Sequence, residues 1–500
     1  MLRPSELEPG QRIDGYVLGE RLANGGMGSI WRATRADLKM PLVLKIPFFM
    51  PGDDVSNIIG YEVEEMVMRR LEGPHVPRFV GAGDLAALPY LAMEYVAGTP
   101  LDNWVRQAPV APVEVARIGA MIAEALDDVH HQKVVHHDLK PGNIILAERG
   151  AVLLDFGLAR HEDLPDLLGE ESALPMGSAP YMAPEQVLGH RGDPASDIFA
   201  LGAILYELAT KELPFGDPQS TSGMKRRLYK APKPPRSIVR SIPRWLQEIV
   251  LKCLEVDPRR RYASAGQLLF DLNHGEQVTL TERGSRDEPE GLMARLVGWF
   301  AAKRKTVDVA GLMPQRIEVS AASRAPIVLA AVDLGPGQAA LAEDVRVHVR
   351  RVLDSAPEAR LACLTVLRTK LAGDDDTVDE AGRTAYVGRL LALKDWAQPL
   401  GVPEEAVSYH VVEAIDPGGA ILDYAEHNRV DHIVLGARGS SALRRHLGSV
   451  SAAVVARAHC TVTVVRLKAR AVEGEAADAT AGDGAAADMA AAGGGGDRDF

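Results

Sequence analysis

The feature that most constrains this 500-residue chain is the stretch His136–Asn143, with the sequence HHDLKPGN, which is followed by Asp155–Gly157, with the sequence DFG. The two motifs place two carboxylates, a lysine and an amide close together in sequence. Phosphoryl transfer needs such a set, because it depends on an oriented hydroxyl, on magnesium and on compensation of phosphate charge. Each motif alone is typical of a turn or loop, but their order and spacing favour phosphoryl transfer.

The chemistry of these side chains suggests a role for each. Asp138 is predicted to accept or orient a substrate hydroxyl, and Lys140 to neutralise the γ-phosphate of ATP. Asn143 and Asp155 offer the oxygen ligands that magnesium prefers, with Mn²⁺ as the alternative ion.

A glycine-rich run lies upstream, between two apolar segments rich in β-forming residues. Glycines there let backbone N–H groups approach phosphate oxygens without a side-chain clash. Such hairpins are common, so this run alone is a weak signal. The candidate nucleotide contacts in it are Leu22, Ala23, Asn24, Gly25, Gly26, Met27, Gly28 and Ile30.

Lys45 lies in a strand-like segment after this run and is predicted to reach the α- and β-phosphates. An acidic helix follows, and one of its carboxylates is expected to pair with Lys45. Glu62 is expected on a solvated face of that helix.

Together these motifs resemble the bacterial Ser/Thr protein kinase family, over about 13–272. The resemblance implies that Glu64, seven residues before Leu71, pairs with Lys45, with Glu65 as the alternative. It also implies a nucleotide hinge, with Val43 and Met93 lining the adenine pocket and with backbone groups offered to adenine by Glu94 and Val96.

The same resemblance extends to the second half of the domain. It implies that Gly177–Glu185 forms a substrate-docking loop and that Glu185 pairs with Arg261. Asp197 is similar to the aspartate that begins a helix and holds the catalytic-loop backbone, which the helix dipole also favours.

The chain departs from the family pattern at three positions. Ala23 replaces the first loop glycine, and Val43 replaces a small alanine, which implies a narrower adenine pocket. His137 stands where most such kinases carry an arginine that pairs with an activation-loop phosphate; a neutral histidine is a poorer clamp. The segment between Gly157 and Ala183 also lacks threonine, and its hydroxyls are those of Ser172, Ser178 and Tyr181. We therefore expect activity to depend little on phosphorylation of this segment, which Ser172→Ala would test.

Length and composition bound the remaining possibilities. A chain of 500 residues is too long for a single core, so at least two domains are expected. A net charge of −12 argues against a general nucleic-acid binder. Three widely spaced cysteines, the absence of an apolar leader and the absence of a long apolar run predict a cytoplasmic protein.

A linker is predicted over 273–324. Its first part, Thr281–Glu290, is polar, and 292–305 combines apolar residues at helical spacing with a basic end. Packing of this second part on a domain is favoured over contact with an anionic membrane surface.

The C-terminal part alternates strand-like runs with helical segments, which predicts an open parallel sheet. Ligands of such sheets bind beyond the carboxyl ends of the strands. The residues predicted near that edge are Asp333, Gly436, Gly439, Gly448 and Ser449.

This half resembles the universal stress protein family, over about 325–467. The resemblance implies a second nucleotide, with Asp333 on its ribose or adenine side and the glycines and Ser449 on its phosphates. The spacing between Gly439 and Gly448 is one residue shorter than in the ATP-binding members, so turn formation without a ligand is the alternative. The resemblance also implies a homodimer that pairs through Thr461–Val465. The segment 468–500 is predicted to be a disordered tail.

The sequence therefore predicts an α+β bilobal protein kinase fold followed by an α/β open parallel-sheet domain. The predicted activity is ATP-dependent phosphorylation of Ser or Thr in a protein substrate, in stress signalling, with a nucleotide-sensing C-terminal domain. The first alternative is a nucleotide-binding scaffold that signals by shape, which retention of Lys45, Asp138 and Asp155 disfavours. The second makes the stress domain the main actor and the kinase its regulator.

Overall fold

A computed structural model describes residues 7–25, 28–48, 56–85, 87–171, 175–288, 325–368, 385–437 and 448–467. Gly26, Met27, Gly439 and Ser172 lie outside these ranges, as do the segment 292–305 and the predicted tail.

The N-terminal lobe is an antiparallel sheet with one long helix. Its elements are β1 (Arg12–Ile13), β2 (Tyr16–Gly25), β3 (Gly28–Arg35), β4 (Leu38–Pro47), α1 (Ser56–Met68), β5 (Phe79–Ala82) and β6 (Leu91–Glu94). The six strands are ordered β1-β2-β3-β4-β6-β5. Side chains alternate across β4, so Leu44 and Ile46 are fully buried in the core of this lobe and Lys45 points to the other face.

The second lobe is mainly helical. Its strands are β7 (Thr99–Pro100), β8 (Val134–Val135), β9 (Ile144–Ala147), β10 (Gly150–Leu153) and β11 (Arg160–His161). Its helices are α2 (Leu101–Arg106), α3 (Pro112–His131), α4 (Leu167–Glu171), α5 (Pro184–Val187), α6 (Ala195–Thr210), α7 (Thr221–Met224), α8 (Pro235–Ile238), α9 (Arg244–Cys253), α10 (Ala265–Asn273) and α11 (Glu282–Ser285). Helix α6 is buried along nearly its whole length and packs against α3 and α9, so the catalytic loop rests on a fixed core.

The first part of the predicted linker is docked on this lobe. Thr281 and Arg283 both bond to the carboxylate of Glu248 on α9, and Arg283 also contacts Glu255 at 2.8 Å. Two polar residues of this part thus have partners on the kinase-like lobe.

The C-terminal domain is a doubly wound parallel sheet. Its elements are β12 (Ile327–Ala331), α12 (Ala339–Ser355), β13 (Arg360–Arg368), α13 (Ala385–Ala397), β14 (Val407–Ala414), α14 (Pro417–His427), β15 (His432–Ala437), α15 (Ser449–Arg457) and β16 (Thr461–Arg466). The order is β14-β13-β12-β15-β16, with every neighbouring pair parallel. Helices α12 and α13 cover one face, and α14 and α15 cover the other.

These two architectures confirm the predicted fold class. The strand order reverses between β12 and β15, where doubly wound sheets open a crevice. Strand β16 lies at the edge of the sheet, and its pairing across a dimer stays a prediction.

The C-terminal domain packs against α1, which corrects one sequence interpretation. Glu62 was predicted on a solvated helix face, but this is wrong: Glu62 is only 8% exposed and pairs with Lys394 of α13. The spacing of charges along α1 predicted that this face is exposed to solvent, because the sequence alone does not show that a second domain covers it.

Candidate functional site

Lys45 is the centre of the candidate site. Its Nζ lies 2.6 Å and 2.9 Å from the two carboxylate oxygens of Glu64 and 2.8 Å from Oδ1 of Asp155. Burial alone would lower the pKa of Lys45, but the charges of Glu64 and Asp155 outweigh it and raise that pKa. Lys45 is therefore a fixed cation between α1 and the segment that follows β10.

The structure distinguishes Glu64 from its neighbour. Glu64 is 4% exposed and faces Lys45, whereas Glu65 pairs with Arg69 one turn along the helix surface. The predicted pair with Glu64 is present, and Glu65 takes no part in it.

Asp138 is held by three donors in the catalytic loop. Its Oδ2 accepts a hydrogen bond from Nζ of Lys140 at 2.7 Å, and its Oδ1 accepts one from the backbone N–H of Ser178 at 2.7 Å. Nδ2 of Asn143 donates to the backbone carbonyl and to Oδ2 of Asp138. Asp138 is thus oriented by its neighbours and only 8% exposed, as an acceptor for a substrate hydroxyl must be.

Asp197, near the start of α6, binds the backbone of this loop. Its carboxylate accepts the N–H groups of His136 and His137 at 2.8 Å and 2.9 Å, and it contacts Nε2 of His130 at 2.9 Å. Burial alone would raise the pKa of Asp197, but its contact with His130 outweighs that effect and lowers the pKa to about 2. The charge that holds the loop is therefore permanent at neutral pH.

Asn143 and Asp155 fit the requirements of a magnesium site that is completed by phosphates. Both amide hydrogens of Asn143 have acceptors on Asp138, which leaves Oδ1 as its coordinating atom. The charge of Lys45 lowers the pKa of Asp155 to about 2, so its carboxylate is ionised. Within the described ranges, no group of three or more His, Cys, Asp or Glu side chains forms a metal cage; magnesium in such sites keeps phosphate and water oxygens as ligands.

His137 is an internal support of the loop in this structure. It is 3% exposed, and its Nε2 accepts the backbone N–H of Gly192 at 2.9 Å. Burial, reinforced by the charge of Arg191, lowers its pKa to about 3, so the ring is neutral. A neutral, buried ring has no charge with which to clamp a phosphate.

The nucleotide-facing hairpin is formed by β2 and β3. Gly25 and Gly28 pair across its tip, and a side chain at Gly28 would lie 2.5 Å from the carbonyl of Ile46 at a φ of +153°. Glycine is therefore required there for close approach of two backbones. Ala23 pairs with Ile30, just after a shift in the register between β2 and β3.

The predicted hinge lies at the end of β6. Val43 pairs with Met93 across the sheet, and Met93 and Val96 are buried. The side chain of Glu94 is occupied by Arg149 at 2.7 Å, so only its backbone remains for a nucleotide.

The predicted substrate-docking loop is fixed at two points. Arg261 donates to both carboxylate oxygens of Glu185, at 2.7 Å and 2.8 Å, as expected. Arg227, which was not predicted, donates to the carbonyls of Ala179 and Met182 and is fully buried. No motif marks Arg227, because its acceptors are backbone atoms far away in sequence.

A second unpredicted group is Asp166, in the segment that precedes α4. It contacts Arg191 at 3.2 Å and Arg160 at 3.9 Å. The only sequence signal for it is an acidic residue in a segment without threonine.

Four predicted ligand residues of the C-terminal domain lie within the described ranges, near the carboxyl ends of β12 and β15 or at the start of α15: Asp333, Gly436, Gly448 and Ser449. Gly439 lies outside those ranges. Asp333 is exposed just beyond β12 and accepts the N–H of Gly335 at 2.9 Å. A side chain at Gly436 would meet Leu341 at 2.8 Å, so close packing of α12 accounts for that glycine. Gly448 and Ser449 begin α15.

Comparisons with known proteins divide the chain in the same way. The model of the family described as "Protein kinase domain" matches residues 16–271, which is just over half of the chain. The model of the "Universal stress protein family" matches residues 326–466.

The relatives that match the first part of the chain are bacterial proteins whose names describe them as serine/threonine-protein kinases. The probable serine/threonine-protein kinase CPE1738 of Clostridium perfringens is 32% identical over 288 residues, which are 55% of this chain and 42% of that protein. The serine/threonine-protein kinase PknB of Mycobacterium tuberculosis is 31% identical and matches 53% of this chain and 43% of its own length. This chain therefore spans less than half the length of these curated relatives.

Among solved structures, the kinase domain of Mycobacterium tuberculosis PknI is similar at 24% identity and a TM-score of 0.43. The match covers 54% of this chain and 99% of that one. In the described part of the chain, no helix is both long and apolar enough to span a membrane.

Proposed function

The chain belongs to the protein kinase family, and we propose on that premise that it transfers the γ-phosphate of ATP to a serine or threonine hydroxyl of a protein. The observation that carries this proposal is the joint contact of Lys45 with Glu64 and Asp155. That contact brings α1, the sheet and the DFG segment together around the place where a nucleotide's phosphates would lie. A protein that used this fold only as a shape would need no such assembled set.

Each residue then has a defined task. Lys45 binds the α- and β-phosphates, and Asp138 orients the attacking hydroxyl and accepts its proton. Lys140, which contacts Asp138 at 2.7 Å, offsets the charge on the transferred group as the nucleotide enters.

A divalent cation, Mg²⁺ or Mn²⁺, would be held by Asn143 and Asp155. When bound with ATP, it would supply positive charge that stabilises the phosphoryl group during transfer. The contribution of this chain is to keep Oδ1 of Asn143 and the carboxylate of Asp155 oriented toward that position.

The test is transfer of labelled phosphate from ATP to a general acceptor such as myelin basic protein, with the full chain and magnesium. Asp138→Asn and Asp155→Ala are expected to lose at least about a hundredfold in rate. Asp163→Asn is the matched control, because that carboxylate pairs with the half-exposed Lys133 and lies outside the site. Hydrolysis of the labelled acceptor and identification of the phosphorylated amino acid test the preference for serine and threonine.

Loss of transfer in both site variants, with the control active, would support the proposal. Absence of transfer by the unaltered chain, with nucleotide binding retained, would contradict it and would favour a scaffold.

We also propose that the C-terminal domain senses a nucleotide in stress signalling. Its membership of the universal stress protein family and the crevice beside Asp333 support this. The test is calorimetric titration of the full chain with ATP and AMP, comparing Asp333→Ala with Lys45→Met. Two binding events, one lost in each variant, are expected; a single event lost in Lys45→Met would contradict it.

A further inference from the structure

Helix α1 presents two different faces to two different partners. Ile58 and Glu62 are four residues apart and share one side of the helix, whereas Glu64 lies about 200° further round. Glu64 faces Lys45, and the opposite side faces the C-terminal domain. The position of Glu64 therefore depends on the contacts that the opposite side of α1 makes.

The contact on that far side is apolar with one ion pair. Ile58 is 5% exposed and packs with Tyr386 and Leu390 of α13. Lys394, one turn further along α13, pairs with the carboxylate of Glu62. Both contacts come from a single helix of the second domain, so α13 contacts α1 at two positions one turn apart.

A second contact holds α4, which lies between Gly157 and Ala183 in the activation segment. The carboxylate of Glu170 is enclosed by three donors of the C-terminal domain, here called the Glu170 cage, which consists of Arg360 at 2.9 Å, His410 at 3.0 Å and Tyr424 at 3.2 Å. The backbone of α4 is also bound, since His427 contacts the carbonyl of Gly169 at 2.9 Å and Asn428 donates to the carbonyl of Glu170 at 3.2 Å.

The residues of α4 are held from two sides. Leu167 and Leu168 are buried in the core of the kinase domain, whereas Gly169 and Glu170 are bound by the C-terminal domain. A helix of five residues is not stable in isolation, and a carboxylate is buried only where donors replace its water. Helices α1 and α4 also pack against each other, so release of one loosens the other. Two points of attachment thus act on one unit that carries Glu64.

We propose that the C-terminal domain positions α1 and α4 for phosphoryl transfer, through Lys394 on Glu62 and through the Glu170 cage. Docking favours the arrangement in which Glu64 contacts Lys45, and undocking lowers the population of that arrangement. Lys394 and the residues of the cage are positioning residues, since they act through α1 and α4 and touch no substrate. This inference rests on the proposed kinase activity.

The experiment is a charge exchange in the full chain. Glu62→Lys and Lys394→Glu each place like charges together and are expected to lower kcat by about tenfold. The double variant restores an opposite pair and is expected to recover to within about threefold of the unaltered protein. Arg351→Glu is the matched control, because Arg351 is exposed on α12 and makes no hydrogen bond or ion pair with the described part of the kinase domain.

Hydrogen exchange of the amides in α1 and α4 provides a readout that does not depend on activity. Exchange is expected to be faster in both single variants than in the unaltered protein. In the double variant it is expected to be slower than in either single variant. If the unaltered chain transfers no phosphate, the proposed function fails, while the exchange result still tests the docking. If the chain is active and the single variants keep both kcat and protection, or the double variant recovers neither, the positioning role is overturned.

Discussion

Nε of Arg191 lies 3.2 Å from Oδ1 of Asp166, so an arginine that follows the substrate-docking loop holds the segment that follows the DFG motif. Phosphorylation commonly supplies the negative charge that arginines use to order such a segment. Here a carboxylate occupies that role, with Arg160 as a second, more distant cation. This pairing gives a physical basis for the expectation that activity depends little on Ser172.

Removal of the charge of Asp166 is predicted to lower kcat. Its Oδ1 also accepts the N–H of Gly169 at 3.2 Å, at the start of α4. Asp166→Asn keeps an oxygen for that bond but removes the charge, so it isolates the ion pair. We expect a decrease of about tenfold in kcat, since charge-assisted hydrogen bonds contribute about 1.5–3 kcal/mol.

Steady-state kinetics on a protein acceptor measures this decrease, with Ser172→Ala as the comparison. Ser172→Ala is expected to change kcat by less than about twofold. A large loss in Ser172→Ala, together with an unaffected Asp166→Asn, would show that added phosphate, and not Asp166, orders the segment.

Neutralisation of Glu64 is predicted to weaken catalysis, whereas the same change one residue later is not. Glu64→Gln leaves Lys45 with Asp155 alone, so the lysine is less well placed for the phosphates. We expect kcat/KM for ATP to decrease by at least about tenfold. Glu65→Gln affects only a surface pair with Arg69 and is expected to stay within about twofold.

Equal effects of these two substitutions would contradict the assignment of Glu64. Steady-state measurements at several ATP concentrations separate the effect on kcat from the effect on KM.

The sequence was sufficient where motifs that resemble those of a known family imply which groups are partners. The pairs of Lys45 with Glu64 and of Glu185 with Arg261 are present, and Asp197 binds the loop backbone. The strands of the C-terminal sheet could also be predicted, because buried parallel strands appear as continuous apolar runs.

The sequence was insufficient where partners come from distant parts of the chain. Glu62 was predicted to face water because local spacing does not show α13 above it. Glu170 and His410 are 240 residues apart, and neither belongs to a motif. Residues that hold domains together depend on the final packing, which a single sequence pattern does not encode.

The buried pair of Glu185 and Arg261 is predicted to be needed for stability. Both side chains are almost fully buried, so Arg261→Met would leave an unpaired carboxylate in the core. We expect a loss of about 3–5 kcal/mol in the free energy of unfolding. Arg259→Met, which breaks an exposed pair with Asp257, is expected to cost at most about 1 kcal/mol.

Urea unfolding followed by fluorescence measures both variants. Similar losses for the two substitutions would show that burial of the Glu185 pair adds no stability beyond that of a surface pair.

Arg227 is predicted to determine how well a protein substrate binds. It is buried, its guanidinium donates to the docking-loop carbonyls of Ala179 and Met182, and no described carboxylate pairs with it. Burial lowers its pKa to about 10, so it remains charged at neutral pH. Arg227→Lys keeps the charge but loses the forked geometry, and we expect KM for the acceptor to increase by about tenfold while KM for ATP is unchanged.

If KM for ATP increased in parallel with KM for the acceptor, Arg227 would support the whole lobe and not the docking loop. The two constants are measured by varying one substrate while the other is saturating.

Docking of the C-terminal domain is predicted to weaken as the pH rises above neutral. Burial alone would lower the pKa of His410, but its contacts with Glu170 and Glu171 outweigh burial and raise the pKa to about 9. The docked state therefore holds a proton that an undocked histidine, with a pKa near 6.5, releases. This contribution is fully present below pH 6.5 and is lost as the pH rises toward 9.

The pKa of Glu170, the carboxylate partner of His410, is shifted in the opposite direction, and this shift affects stability in a different pH range. Burial alone would raise the pKa of Glu170, but His410 and Arg360 outweigh burial and lower it to about 2. Its contribution is present above pH 4.5 and is lost only as the pH falls toward 2, so it does not oppose the alkaline effect. The titratable and charged side chains around this contact are Glu170, Glu171, Arg360, Tyr386, Tyr424 and His427.

Comparison of the unaltered chain with His410→Gln tests the prediction, because glutamine does not titrate. Between pH 6.5 and 9 the unaltered chain is expected to lose on the order of 2–3 kcal/mol of unfolding free energy relative to the variant. Over the same range, hydrogen-exchange protection of α4, corrected for the intrinsic pH dependence of exchange, should decrease only in the unaltered chain. Parallel pH profiles of the two proteins would mean that His410 takes up no second ring proton in the docked state and that it contacts Glu170 as a neutral imidazole, beside Arg360 and Tyr424.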